Sequence, residues 1–188
     1  MRSILTSILL AMALLMGAAS PALAQHNHAL EADADFDDFL NTIDALPTPE
    51  VLERFPDAEA RLLEVATDAE ATVYRRWRAT SMLSNFNSPE VRRALITLTT
   101  AADDDLRGMA LLVLGAGYLE GGDAEVLATI EARLGDEDAS VRADAVRALA
   151  YGHGPRVTER LEIIAAGDDA RMAKIATRAL AKQIQKTQ

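Results

Sequence analysis

The chain has 188 residues, 49% of them hydrophobic but only 4% aromatic, and a net charge of −10. That charge disfavours nucleic acid and anionic lipid as partners. The absence of cysteine excludes disulfides, thiolate metal sites, thiol nucleophiles and any cysteine-borne lipid anchor. The apolar content is mostly alanine and leucine, as in closely packed helices, and the length suits one domain or one short repeat array.

The first residues read as an export signal. Met1-Arg2 precedes an apolar run from Ile4 to Met16, and "GAASPALAQ" follows with Ala22 and Ala24 in a small-x-small pattern. The apolar run falls short of the ~20 residues a spanning helix needs, so cleavage after Ala24 is expected rather than an anchor. Residues 1–24 are then a Sec signal peptide and the product is periplasmic or secreted. The mature chain loses one basic residue, Arg2, which leaves 18 basic against 29 acidic residues and a net charge of −11. It has no further candidate transmembrane segment. Residues 25–33 are expected to form a disordered leader carrying His26, His28, Glu31 and Asp33.

Residues 34–67 read as degenerate capping helices. Phe36, Phe39, Leu40 and Ile43 give a helical stripe. Thr48-Pro49-Glu50 and Phe55-Pro56 mark two helix starts. From 68 to 188 the chain repeats itself about three and a half times. "DEDASVRADAVRALA" (Asp136–Ala150) and "DDARMAKIATRALAKQ" (Asp168–Gln183) align at a spacing of 31, so that Ala145, Arg147, Ala148 and Leu149 fall on Ala176, Arg178, Ala179 and Leu180. "DDDLRGMALLVLG" (Asp103–Gly115) and "TVYRRWRATSMLS" (Thr72–Ser84) extend the series backwards. The register residues are Ala79, Ala110, Ala145 and Ala176, each followed four later by Leu83, Leu114, Leu149 and Leu180.

A second segment follows each of the first three: "SPEVRRALITLTTA", "DAEVLATIEARLG" and "GPRVTERLEIIAAG". Val91, Val126 and Val157 correspond, as do Leu95, Ile130 and Leu161. Starts fall at Ser88-Pro89, Asp123 and Gly154-Pro155, and Gly135 and Gly167 read as C′ glycines. Each unit is therefore helix A, a turn and helix B. No stretch alternates with period 2, so no strand is expected. A lone helix pair cannot bury enough apolar area to offset its ordering entropy, whereas stacked pairs share a continuous core. The fold class is all-α, an α-α superhelix.

"DEDASVRADAVRALA" resembles helix A of a HEAT repeat of the short bacterial kind, also called HEAT-like phycobilisome-lyase repeats. The resemblance covers about Thr67 to Gln183. It implies a ladder between stacked units, made by an aspartate and an arginine six positions later. Asp136 and Arg142 have that spacing, and Glu70 and Arg76 approximate it; Ala101 and Ala173 depart from it. The family's fold hosts many partners, so the resemblance specifies architecture and leaves the partner open.

Residues with possible chemistry are few. His26 and His28 lack the spacing of a terminal-amine copper or nickel site and read as flexible tail. His153 sits in the turn "YGHGP" and reads as solvated. The acidic stretch Glu31, Asp33, Asp35, Asp37 and Asp38 lacks the glycine and final glutamate of a calcium loop. The loop "GAGYLEGGD" (Gly115–Asp123) carries four extra residues relative to the other A–B turns and is expected to project with Tyr118 at its tip. It follows no strand and precedes no Lys-Ser/Thr, which argues against phosphate binding. Trp77, Met82, Met109 and Met172 fall at core spacing. Arg171, Lys174, Arg178, Lys182 and Lys186 form one cationic stripe on the last helix. Two readings stay open for it: a wet end cap complementing the helix dipole, or a docking surface for an acidic partner, lipid headgroup or glycan.

The sequence thus predicts a periplasmic, non-enzymatic protein-interaction or scaffold module without a cofactor, monomeric, binding a protein partner and not nucleic acid. B helices are expected to line a concave face, with Arg93, Thr97, Thr129, Arg133, Arg156 and Arg160 as contacts. The Tyr118 loop and the terminal stripe are second choices. The alternatives are a small-ligand or metal-handling protein that uses the histidines and the acidic leader, and an enzyme of unknown type. Ala145→Glu would place a charge in a packed layer and is expected to unfold the C-terminal half. A circular-dichroism melt like that of the wild type would contradict the register.

Overall fold

A computed structural model describes residues 36–41, 49–120 and 122–186. They divide between two compact units: 36–41 belongs to one, and Pro49 onward to the other. The leader, its histidines, the export segment and Ile43 lie outside the described residues.

The first unit shows one helical segment, α1 (36–41), in which the rings of Phe36 and Phe39 lie 6.2 Å apart. The second unit begins with a single turn, α2 (Pro49–Leu52), and α3 (Ala58–Thr67). There follow α4 (Val73–Met82), α5 (Pro89–Leu98), α6 (Asp104–Tyr118), α7 (Ala124–Ala132), α8 (Ala139–Leu149), α9 (Pro155–Ala165) and α10 (Ala170–Lys186). Helices α4, α6, α8 and α10 are the A helices; α5, α7 and α9 are the B helices. Every described element is helical and no strand occurs among the described residues.

Most starts are written in the sequence as side-chain caps. Thr72, Ser88, Asp103, Asp123 and Asp138 each accept a backbone N–H from the first turn of the helix they open. Asp169 does the same for Arg171 and Met172. These caps satisfy donors that a helix cannot pair internally. Helix α9 starts differently: Gly154 has φ +102° and Pro155 follows at the first helical position. Only glycine adopts that backbone cheaply. Helix α3 starts at Ala58, so Phe55-Pro56 falls in the turn before it.

The register holds in three dimensions. Ala79, Ala110, Ala145 and Ala176 are fully buried, as are Leu83, Leu114 and Leu149. Leu180, on the last helix, is half-buried. On the B side Val91, Val126, Leu95, Ile130 and Leu161 are fully buried and Val157 nearly so. The A helices stack directly, α4 on α6, α6 on α8, α8 on α10, and α6 on α8 is the most extensive of the helix–helix contacts. Each B helix α5 and α9 packs more extensively on the A helix after it than on the one before it. Small residues permit the α6–α8 approach. A Cβ added at Gly115 would lie 2.7 Å from the carbonyl oxygen of Ala148 and 2.9 Å from its Cα and Cβ. One added at Gly108 would lie 2.5 Å from Asp144 Oδ2.

Two local expectations are corrected. Gly135 and Gly167 are not left-handed C′ glycines; among the described glycines only Gly122 and Gly154 have positive φ. Helix α7 tightens instead into a 3₁₀ turn, Arg133–Gly135, whose Arg133 carbonyl accepts from the Asp136 N–H at 3.2 Å. Gly167 similarly donates to Ile164 O at 3.1 Å. Such i→i+3 bonds satisfy terminal carbonyls without a left-handed residue. Nor do the four extra residues after Leu114 form a projecting loop. Helix α6 runs for 15 residues, against 10 in α4 and 11 in α8. Four residues is close to one helical turn of about 3.6 residues, so the insertion lengthens the helix and keeps the faces in phase.

Gly115→Ala is expected to lower stability by roughly 1–3 kcal/mol, because the new methyl meets backbone that cannot swing aside. Gly117 lies two residues on, and a methyl group added there would have nothing within 4 Å, so Gly117→Ala should raise stability by about 0.5–1 kcal/mol. Urea denaturation of both variants checks this. Shifts of the same sign would contradict the close approach.

Candidate functional site

Polar side chains cross the seams between repeats, and they decide which cations remain available at the surface. Arg107 is buried on α6, with its side chain 8% exposed. Its guanidinium donates to Ala101 O and Ala102 O, both at 2.9 Å, and to Asp136 Oδ1 at 3.0 Å. Arg142 repeats the first half of this pattern, donating to Asp136 O at 2.8 Å and Glu137 O at 2.9 Å. The rung therefore joins the arginine of one unit to the aspartate of the next. Asp136 and Arg142, six apart in one unit, meet through the Asp136 backbone carbonyl only. One complete rung forms among the described residues, because Ala101 offers Arg76 no carboxylate. Arg76 donates to Ala66 O at 3.2 Å instead. Burial opposes ionisation of Asp136, but the Asp138 N–H and the Arg107 guanidinium outweigh it and hold its pKa below the usual carboxylate value.

A second seam ties α5 to α7. Arg92 donates to both oxygens of Asp123, at 2.7 and 2.9 Å, and to Glu125 at 2.6 Å. Asp123 is also the N-cap of α7. The Arg92 hydrogen bond first, and the Val126 N–H second, hold the Asp123 carboxyl at a pKa of about 2.

The B-helix candidates are largely neutralised within the chain. Arg93 pairs with Glu90 at 2.7 Å. Arg133 lies 3.8 Å from Asp136, and Arg156 and Arg160 approach Glu131 at 2.8 and 4.0 Å. The hydroxyls of Thr97 and Thr129 donate to the carbonyls of Arg93 and Glu125 in their own helices. These six residues are on or near the surface, but the structure does not gather them into one pocket.

Tyr118 is corrected from the tip of a projecting loop to the last turn of α6. It is half-buried, and its hydroxyl donates to Ser88 O at 2.9 Å. Burial first, and the Glu59 carboxylate second, push its pKa up. It is a bolt between α6 and the start of α5.

The terminal stripe differs from the B helices. Arg171, Lys174, Arg178 and Lys182 are all exposed, and among the described residues their side chains make no ion pair. Arg178 and Lys182 lie along an open groove of about 640 Å³ where the end of α8 faces α10. Leu112, Ala150, Tyr151, Ile175 and Ala179 give it apolar walls, and Arg147 and His153 complete the polar edge. Arg147 pairs with Asp144, four-tenths of its side chain remaining exposed, and His153 lies 3.9 Å from Glu120. No carboxylate lines the groove among the described residues. Arg147 and Tyr151 were not among the sequence candidates, yet the 31-residue spacing carried the signal. It places Arg147 on Arg178 and Tyr151 on Lys182, and residues in one register position of adjacent A helices stand side by side.

Among the described residues no three histidine, aspartate or glutamate side chains converge to hold a metal, and no helix is long and apolar enough to cross a membrane.

The model of the family described as HEAT repeats matches residues 58–150 and, overlapping, 93–181, together more than half of the chain. A crystal structure of an engineered protein from the Northeast Structural Genomics Consortium is similar in fold, with TM-score 0.53 and 22% identity over 77% of this chain and 69% of that one. No curated protein matches the chain.

Removing Asp136 would leave the Arg107 charge buried and unpaired, so Asp136→Ala should cost roughly 3 kcal/mol. Adding Arg107→Met should recover much of that loss in a double-mutant cycle. Because the folded pKa of Asp123 is depressed from 3.8 to about 2, its contribution is complete above pH 4 and is lost as pH falls through about 2. Arg92→Gln should flatten stability against pH in that window, as followed by urea titration at each pH. An unchanged slope would contradict the clamp.

Proposed function

Because the chain belongs to the HEAT repeat family, we propose that it is a non-enzymatic scaffold that binds a protein partner in the periplasm or outside the cell. Stacked HEAT pairs generally serve as protein-interaction surfaces, and a stack offers an extended row of side chains rather than an enclosed reaction chamber. The observation that carries the reading is the unequal treatment of cations. Arg92, Arg93, Arg107, Arg133, Arg156 and Arg160 are paired within the chain, whereas Arg171, Lys174, Arg178 and Lys182 of α10 are left exposed on a strongly acidic protein. The export part rests on Met1-Arg2, the Ile4–Met16 run and the Ala22-x-Ala24 pattern.

Two measurements test the two parts. N-terminal sequencing of the protein recovered from cell fractions should give Gln25 as the first residue, or a blocked Gln25, in the periplasmic or extracellular fraction. A full-length chain in the cytoplasm would overturn export. Crosslinking in the intact envelope should give a discrete adduct of higher mass than a homodimer or a lipid adduct. Finding the protein uncrosslinked, or joined only to itself, would overturn the scaffold reading.

A further inference from the structure

The groove between α8 and α10 combines three features: an apolar floor, an exposed aromatic ring, and two exposed cations, Arg178 and Lys182, that make no ion pair among the described residues. We infer that it binds an acidic amphipathic segment of a partner protein, whose apolar side chains sit on Tyr151, Ile175 and Ala179 while its carboxylates meet Arg147, Arg178 and Lys182. The inference rests on the scaffold reading above and gives it a site and a partner chemistry.

The floor follows from the repeat. Ala179 is buried and Ile175 half-buried on α10, facing the end of α8. Tyr151 is 49% exposed, one of the few large apolar side chains left so open. Its backbone is nonetheless fixed. Its N–H donates to Ala148 O at 3.2 Å, and the next residue, Gly152, donates to Leu149 O at 3.0 Å. A Cβ at Gly152 would lie 2.7 Å from Leu119 and 3.1 Å from Val157, so the turn is pressed against the core. Gln183 locks the opposite wall, donating to Gly152 O at 2.9 Å and accepting from Thr158 at 3.3 Å. The ring is thus carried on a fixed turn, and a partner need not meet the cost of ordering that backbone. Aromatic and arginine side chains on a rigid, partly apolar patch are the residue types that anchor protein interfaces.

Charge selects the occupant. Arg178 and Lys182 lie one turn apart on the groove side of α10, and Arg147 comes beside them from the equivalent position of α8. Arg147 is paired with Asp144, while Arg178 and Lys182 make no ion pair among the described residues. A cationic row above an apolar strip complements a helix with apolar residues at i, i+3 and i+4 and acids between. At about 640 Å³ the groove takes a few side chains of such a segment, not a folded domain.

The probe is a fluorescein-labelled peptide repeating Leu-Glu-Glu-Leu-Glu-Glu-Glu, compared with its lysine counterpart and with a polyglutamate peptide. NMR titration of the mature protein should move the amides of Ala150–His153 and Ile175–Gln183, with the acidic amphipathic peptide alone. Arg178→Glu/Lys182→Glu and, separately, Tyr151→Ala should each weaken binding by about ten-fold or more, with unchanged melting curves. Binding that needs only charge, binding equal for the lysine peptide, shifts centred elsewhere, or no shifts would each overturn the proposal. A photoreactive side chain placed at Tyr151, or at the exposed Ile163 of α9, separates this failure from failure of the scaffold reading. Protein adducts from position 163 but not 151 would remove the groove and keep the scaffold, while adducts from neither would remove both.

Discussion

The contact on which the array depends is the approach of α6 to α8, where Gly115 lies against the backbone of Ala148 with no room for a methyl group. Interiors packed to crystal density transmit such a constraint along their length. At Gly115 α6 meets α8 nearly backbone to backbone, at Gly108 it lies against the Asp144 side chain, and Ala143, Ala145 and Ala148 of α8 are fully buried. Leu114 and Leu149 then fill the space between layers, and the B helices lie across the flank through Val126, Ile130, Val157 and Leu161. The four extra residues follow Leu114 and lengthen the end of α6 by about one turn, so Gly108 and Gly115 keep their place against α8 and the chain leaves toward α7 in nearly the same direction.

Polar seams specify what the apolar stack leaves free. Apolar contact between smooth alanine faces tolerates sliding, but a buried Arg107–Asp136 pair tolerates one register only, because a slip leaves a charge without a partner in low dielectric. Arg92 on Asp123 acts similarly on the B side and fixes the start of α7. The two pairs fall at sequence separations of 29 and 31, so each joins consecutive units. Against these paired arginines, Arg171, Lys174, Arg178 and Lys182 of α10 make no ion pair among the described residues, and the groove gives Arg178 and Lys182 an apolar neighbour.

Much of this was legible in the sequence. Alanine and leucine at the register positions, valine on the B helices, and the Ser88 and Asp123 caps all work locally or through periodicity, and they appear where the spacing put them. What escaped depends on relations across units or on how a helix end closes. The ladder spacing of Asp136 and Arg142 is a six-residue pattern, yet its chemical partner lies one repeat back at Arg107. Gly135 and Gly167 looked like left-handed caps, but 3₁₀ tightening satisfies the same carbonyls. Tyr118 looked like a loop tip because an insertion of one helical turn is indistinguishable from a loop extension by length. Of the candidate contacts, the B-helix arginines are largely paired at home. Arg178 and Lys182 acquire a setting only when Arg147 and Tyr151, their register equivalents, are seen beside them.

Native-state hydrogen exchange on the mature protein tests the central claim most directly, since it reports the free energy of opening helix by helix. If the α6–α8 contact holds the array together, the slowest amides belong to α6 and α8, and those of α5, α7 and α9 exchange through smaller openings. If the B helices carry the slowest amides, or α6 and α8 open first, the close approach of the A helices is not what the rest of the structure depends on.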